Sequence, residues 1–105
     1  MNDRELLELA AKAAGLKVRW YDRDCLRVAD KCNGFAGKWN PLTDDGDEAR
    51  LEAALEFHVE WHSLRRVVRV GKPEAFAEEP WGEDRQKARR RAGVSAAAEV
   101  GRNMK

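Results

Sequence analysis

Apolar positions along the chain change their period several times, and each change marks an element. Leu6, Ala10, Ala13 and Ala14 recur at helical spacing behind Asn2 and Glu5, which stand three apart as a capping box, so a helix is predicted over Asp3 to Ala14. Gly15 stops it, because glycine takes the left-handed C-terminal position without a Cβ clash. The period then drops to two. Leu16, Val18 and Trp20 alternate with Lys17 and Arg19, and Leu26 and Val28 flank Arg27 beyond the turn-forming Asp22-Arg23-Asp24, which predicts a first hairpin. Lys31 to Pro41 reads as a loop, since it contains Asn33, Gly34, Gly37, Asn40 and Pro41, although it also carries Phe35 and Trp39.

The same sequence of signals then repeats. Asp45 and Glu48 have capping spacing, acids gather where a helix is positive, and Leu51, Ala54 and Leu55 share one face, so a second helix is predicted from near Asp45 to about Glu56. Phe57, Val59 and Trp61 alternate with His58, Glu60 and His62, a short turn follows at Ser63 to Arg65, and Val68 and Val70 flank Arg69. This is a second hairpin. Pro73 interrupts the pattern, so a strand over Ala75 to Ala77 would lie at an edge. A last helix is predicted from about Gly82 to Met104, where Ala88, Ala92, Ala96, Ala97 and Ala98 would let its axis sit close to a sheet and Gly93 weakens its middle. The expected fold is α+β, a small antiparallel sheet of two hairpins covered by three helices in the order α-β-β-α-β-β-α.

Length adds that residues 1–105 form a single domain large enough for one core. No apolar run approaches the ~18 residues that a membrane span needs, and Met1-Asn2-Asp3-Arg4-Glu5 lacks the order of a signal peptide, so a soluble protein of the cytoplasm is expected. Cys25 and Cys32 are spaced C-x6-C, which fits neither a redox pair nor a zinc knuckle, and they read as ordinary reduced residues.

Charge changes the picture more than composition does. The net charge is only +1, from 20 Lys plus Arg against 19 Asp plus Glu. The signs are nevertheless segregated: residues 41–61 carry seven acids against Arg50 alone, whereas 62–72 hold Arg65, Arg66, Arg69 and Lys72 with no acid, and 81–105 are again basic. Such a chain can present a basic surface to an anion while staying near neutral overall, or can pair the two signs within the fold or between subunits.

Candidate chemistry is sparse. His58 and His62 would share one zinc on a helix, but on a strand they stand about 13 Å apart, so only His58 with Glu60, or Glu60 with His62, could chelate, and a solvated strand face is expected instead. Thr43-Asp44-Asp45-Gly46-Asp47-Glu48 has contiguous acids, and the twelfth residue from Asp44 is Leu55 rather than the glutamate of a calcium loop, so helix capping accounts for it. Ser63 and Ser95 are the only serines; neither sits in a nucleophile elbow, and no phosphate-cradling glycine loop exists. No catalytic residue, cofactor or metal is assigned, and an enzyme is the least supported class. Two basic groups remain. Arg65, Arg66 and Arg69 lie on the second hairpin, and with Trp39 and Trp81 they could sandwich a purine and hold its phosphates. Arg85, Lys87, Arg89, Arg90 and Arg91 open the last helix and could neutralise nucleic-acid phosphates, although helical spacing spreads them around the axis and the pI of about 7.8 is low for such a binder.

The string Trp39-Asn40-Pro41-Leu42-Thr43-Asp44-Asp45-Gly46-Asp47, the leader Asp3-Arg4-Glu5-Leu6-Leu7-Glu8-Leu9-Ala10, and Arg90-Arg91-Ala92 with Ala96-Ala97-Ala98-Glu99-Val100-Gly101 resemble small phage proteins of the phage ABA-sandwich domain family, in which a sheet lies between helices. The likeness covers both ends and the centre of the chain and leaves Phe57 to Trp81 unmatched. It implies a phage or prophage origin and an accessory role, with no activity or catalytic residues to transfer. Pro41 keeps Asn40 extended, so Trp39 should roof the core or line a pocket.

The expectation is therefore a non-catalytic phage accessory protein, in the host cytoplasm, that counteracts host defence by sequestering a small anionic, nucleotide-like ligand at Trp39, Arg65, Arg66, Arg69 and Trp81. The alternative is an interaction module that docks on a host protein or on nucleic acid through Arg85, Arg89, Arg90 and Arg91. Four tryptophans in so short a chain also point to a homo-oligomer, and no membrane partner is expected.

Overall fold

Asn2 opens the first helix as its spacing predicts: its Oδ1 accepts the Glu5 N–H at 2.8 Å, and α1 runs over Asp3–Ala13, ending before Gly15 at φ +72°. The computed structural model describes residues 2–23, 25–30 and 34–104. Beyond α1 come β1 (Val18–Trp20), β2 (Leu26–Asp30) and β3 (Gly34–Lys38), then α2 (Asp45–Leu55), then β4 (His58–His62), β5 (Val67–Lys72) and β6 (Ala75–Pro80), and finally α3 (Arg85–Arg102). The class is α+β with three helices, as expected. Each hairpin gains a third strand, and the strands form two separate antiparallel sheets ordered β1-β2-β3 and β4-β5-β6.

The third strand of the first sheet replaces most of the loop expected over Lys31 to Pro41. β3 pairs with β2 in the register Arg27↔Lys38 and Val28↔Gly37, with a bulge between Val28 and Ala29, and the Trp39 N–H donates to the Leu26 carbonyl at 2.8 Å. Glycine in this stretch argued against a strand, but an edge strand is held by the backbone groups its neighbour would otherwise leave unpaired, and a bulge absorbs the irregularity. Lys31, Cys32 and Asn33 lie outside the described residues. In the second sheet β6 is the edge strand that Pro73 permits, pairing Ala75 with Lys72 through to Pro80 with Val67.

α3 organises the packing, touching α1, α2, β5 and β6. Its Val94, Ala97 and Ala98 join Leu6, Leu7, Ala10 and Ala11 of α1, Leu51 and Leu55 of α2, Leu26 of β2 and Trp39 in one core. Its Ala88 and Ala92 pack with Val68 and Val70 of β5 in a second. The alanines thus let α3 approach another helix as well as a sheet, and the helices lie between the two sheets. No helix among the described residues is long and apolar enough to cross a membrane.

Candidate anion-binding site

Cross-strand register sorts the second sheet into two faces. Trp61 is opposite Val68 and Val59 is opposite Val70, so this face turns towards α3; His58, Glu60, His62 and Arg69 lie on the other. Alternation carries on past Pro80 and brings Trp81 to the α3 side, where its ring meets that of Trp61 edge-on, 5.8 Å between centroids at 68°. The Trp81 N–H donates to the Arg66 carbonyl at 2.9 Å, which ties the segment before α3 to the β4–β5 turn. Arg66 itself sits in the left-handed region at φ 53°.

Trp81, Arg66, Arg85, Ser63 and Gly82 line an open depression of about 690 Å³. The guanidinium of Arg85 lies over the Trp81 ring, 4.2 Å from its centroid. Arg85 is the first residue of α3, after Asp84, whose side chain caps the helix by accepting the Lys87 N–H at 3.0 Å. The Asp84 carboxylate thus already sits at the positive end of the helix, and the first turn adds no further acid. Neither Arg66 nor Arg85 pairs with a carboxylate among the described residues, and none lines the depression. Two unpaired guanidinium groups on one depression repel each other, and an anion between them relieves that repulsion. The indole adds a flat apolar wall and Ser63 a hydroxyl. Trp81 Nε1 is buried without a hydrogen-bond partner.

Of the five residues expected to hold a ligand, the structure thus unites Arg66 and Trp81 and adds Arg85. It places the other three elsewhere. Trp39, 6% exposed, roofs the core that α1 and α2 share with β2 and also lines a cleft there. Arg65 makes a two-pronged pair with Glu78, 3.2 Å on each arm, and Arg69 lies over Phe76 at 3.6 Å on the outer face of the second sheet.

The basic run of α3 is mostly used internally. Arg89 donates to both oxygens of Glu52 at 2.9 and 2.7 Å and stands 3.5 Å from Glu48; Arg90 bonds the Leu42 carbonyl and Asp45; Arg91 bonds Asp3. Arg85 alone of the four expected interaction residues has no acid partner among the described residues.

The sequence offers Glu48 only as a capping partner of Asp45 and gives Glu52 no role, whereas Asp44 caps α2 by accepting the Asp47 N–H and both glutamates are buried. They stand one helical turn apart on the buried face of α2, with side chains 3% and 9% exposed. Burial, then hydrogen bonding with Glu52 and its charge, pushes the Glu48 carboxyl up to about 9, so it is protonated at neutral pH. Burial also acts to raise Glu52, but the hydrogen bonds from Arg89, then that with Glu48, outweigh it and hold Glu52 below the usual carboxylate range, while Arg89 is raised by its bonds to Glu52. The cluster clamps α2 to α3. A buried carboxyl pair was detectable as Glu48 and Glu52 sharing a face with Leu51 and Leu55; its partner on a distant helix was not.

No group of three or more His, Cys, Asp or Glu side chains that could hold a metal ion occurs among the described residues. No protein-family model, curated protein or solved structure matches the chain.

Proposed function

We propose that the protein is a non-catalytic binding protein that captures a small nucleotide-like anion in the depression between the β4–β5 turn and the start of α3. The observation that carries this is the meeting of Arg66 and Arg85, both without an acid partner among the described residues, beside the indole of Trp81. The guanidinium forks suit phosphate or carboxylate oxygens, and the Arg85 guanidinium stacked on Trp81 offers a planar surface to a base. The phage likeness supplies the setting of this reading: an accessory protein in the host cytoplasm that removes a signal of host defence from solution. The reading based on the last helix has less support, because Arg89, Arg90 and Arg91 are occupied within the fold.

Calorimetry against a panel of linear and cyclic nucleotides tests the proposal. Binding should be exothermic, weaken as salt is raised, and fall by about tenfold or more in Arg66→Glu and in Arg85→Glu, while circular dichroism stays unchanged. Absence of heat with every nucleotide, at protein well above micromolar, overturns it.

A further inference from the structure

The first sheet does not close onto α2. Between them lies a cleft of about 400 Å³ with walls of Leu16, Val28, Trp39, Leu51 and Ala54. We propose that this cleft is a second binding site, for an amphiphilic monoanion of the medium-chain fatty-acid type, with the apolar chain among these walls and the carboxylate at Arg50. The proposal is independent of the nucleotide reading and concerns the other core of the molecule.

Two observations carry it. The first is Gly37, which pairs with Val28 across β2 and β3 and lines the cleft on the same face. Its φ is not in the left-handed region, so the backbone does not require glycine, and a Cβ built on it would meet nothing within 4 Å. Gly37 is exposed at the mouth of the cleft, so its missing side chain leaves open the approach to the apolar walls, and the cleft volume is in the size range of small-ligand sites.

The second is the polar edge of the cleft. Asp47 is buried and both its oxygens are taken: Oδ2 accepts the Asn40 N–H at 3.0 Å, and Oδ1 accepts from Arg50 at 2.6 Å. The aspartate is thereby neutralised and asks for no cation. Arg50 uses one nitrogen on it, its side chain is 72% exposed, and no second ion pair of Arg50 occurs among the described residues. Lys38 lines the same cleft. An apolar hollow with net positive charge at its edge selects a ligand with an apolar body and an anionic end, and a chain of about eight to ten carbons suits the volume.

The test is calorimetry of the full chain with octanoate and decanoate below their micelle concentrations, with decanol and decylamine as controls. Decanoate should bind in preference to decanol, and decanol to decylamine, with each added methylene strengthening binding by up to about fourfold. Gly37→Leu should lower decanoate affinity by about tenfold or more with the circular dichroism and nucleotide heats unchanged, and Arg50→Gln should bring decanoate down to the level of decanol. If Gly37→Leu does not fold, Ala54→Phe fills the cleft from α2 and should give the same loss. Failure of decanoate to bind, equal affinity for decanoate and decylamine, or unchanged decanoate affinity in a folded cleft-filling variant overturns the proposal. So does a Gly37→Leu variant that is merely more stable while wild type binds none of the probes, for then the cleft is a packing void.

Discussion

Gly101 of α3 lies against the main-chain carbonyl of Leu9 in α1, so closely that a β-carbon at Gly101 would collide with it. Glycine in a helix ordinarily lowers stability by about 1 kcal/mol relative to alanine, and here the two helices use it to come into contact. Gly101→Ala should therefore destabilise the protein by about 1 to 3 kcal/mol, the range for overpacking against a neighbour that cannot move aside. Thermal unfolding would show a fall of several degrees; a rise would mean that α1 and α3 are not in contact at Gly101.

Gly93 makes the same kind of approach to a side chain, the Glu48 carboxyl. Gly93→Ala should also destabilise, and combined with Glu48→Ala its effect should shrink, because the second change removes the atom it collides with. A double-mutant cycle by urea unfolding should give a coupling of about 0.5 to 3 kcal/mol, and strict additivity would separate the two residues.

Stability should depend on pH through Glu48. Its carboxyl titrates near 4.5 when unfolded and at about 9 when folded, so across that window the native state holds a proton that the unfolded state has lost. The stabilisation is complete below about pH 4.5 and is lost as pH rises through 9, with a limiting slope of about 1.4 kcal/mol per pH unit. Glu52 acts oppositely: its lowered carboxyl contributes stability above its unfolded value, lost as pH falls through the folded one. Denaturation between pH 5 and 9 should show stability declining with pH in the wild type and a flattened profile in Glu48→Gln.

The arginines of α3 should differ sharply. Arg89→Ala strands two buried carboxyl groups and should cost about 3 to 5 kcal/mol, as removal of one partner from a buried pair does. Arg91→Ala breaks an exposed pair with Asp3 and should cost less than about 1 kcal/mol. Equal effects in chemical denaturation would contradict the burial difference.

Asp44 should matter more than Asp45. Asp44 is the N-cap of α2, its Oδ1 accepting the Asp47 N–H at 2.9 Å, whereas Asp45 is an exposed first-turn residue paired with Arg90. Asp44→Ala should cost about 1 kcal/mol and Asp45→Ala appreciably less, measured as shifts in the urea midpoint.

How legible the molecule was depended on distance along the chain. The capping of α1 by Asn2, the stop at Gly15, the strand alternation around Val59 and Trp61 and the edge position forced by Pro73 all arise from neighbours within a few residues. β3 was missed because its strand character comes from β2 rather than from its own glycine-rich residues. At the candidate site, residue type points equally to Arg66, Trp81, Trp39, Arg65 and Arg69, and the last three lie elsewhere.

Local spacing determined where the three helices and the strands other than β3 form, since period, caps and breakers act over one or two turns of chain. It also made clear that charge is segregated, but not which charges remain unpaired. That was settled only by tertiary contacts such as Arg89 with Glu52, 37 residues apart, and Arg91 with Asp3, 88 apart. These contacts satisfy three of the basic side chains of α3 and leave Arg85 beside Arg66 and Trp81. The physical reason is that the field at a charged group is set by what the fold brings within a few ångströms of it, and sequence neighbours are only a part of that.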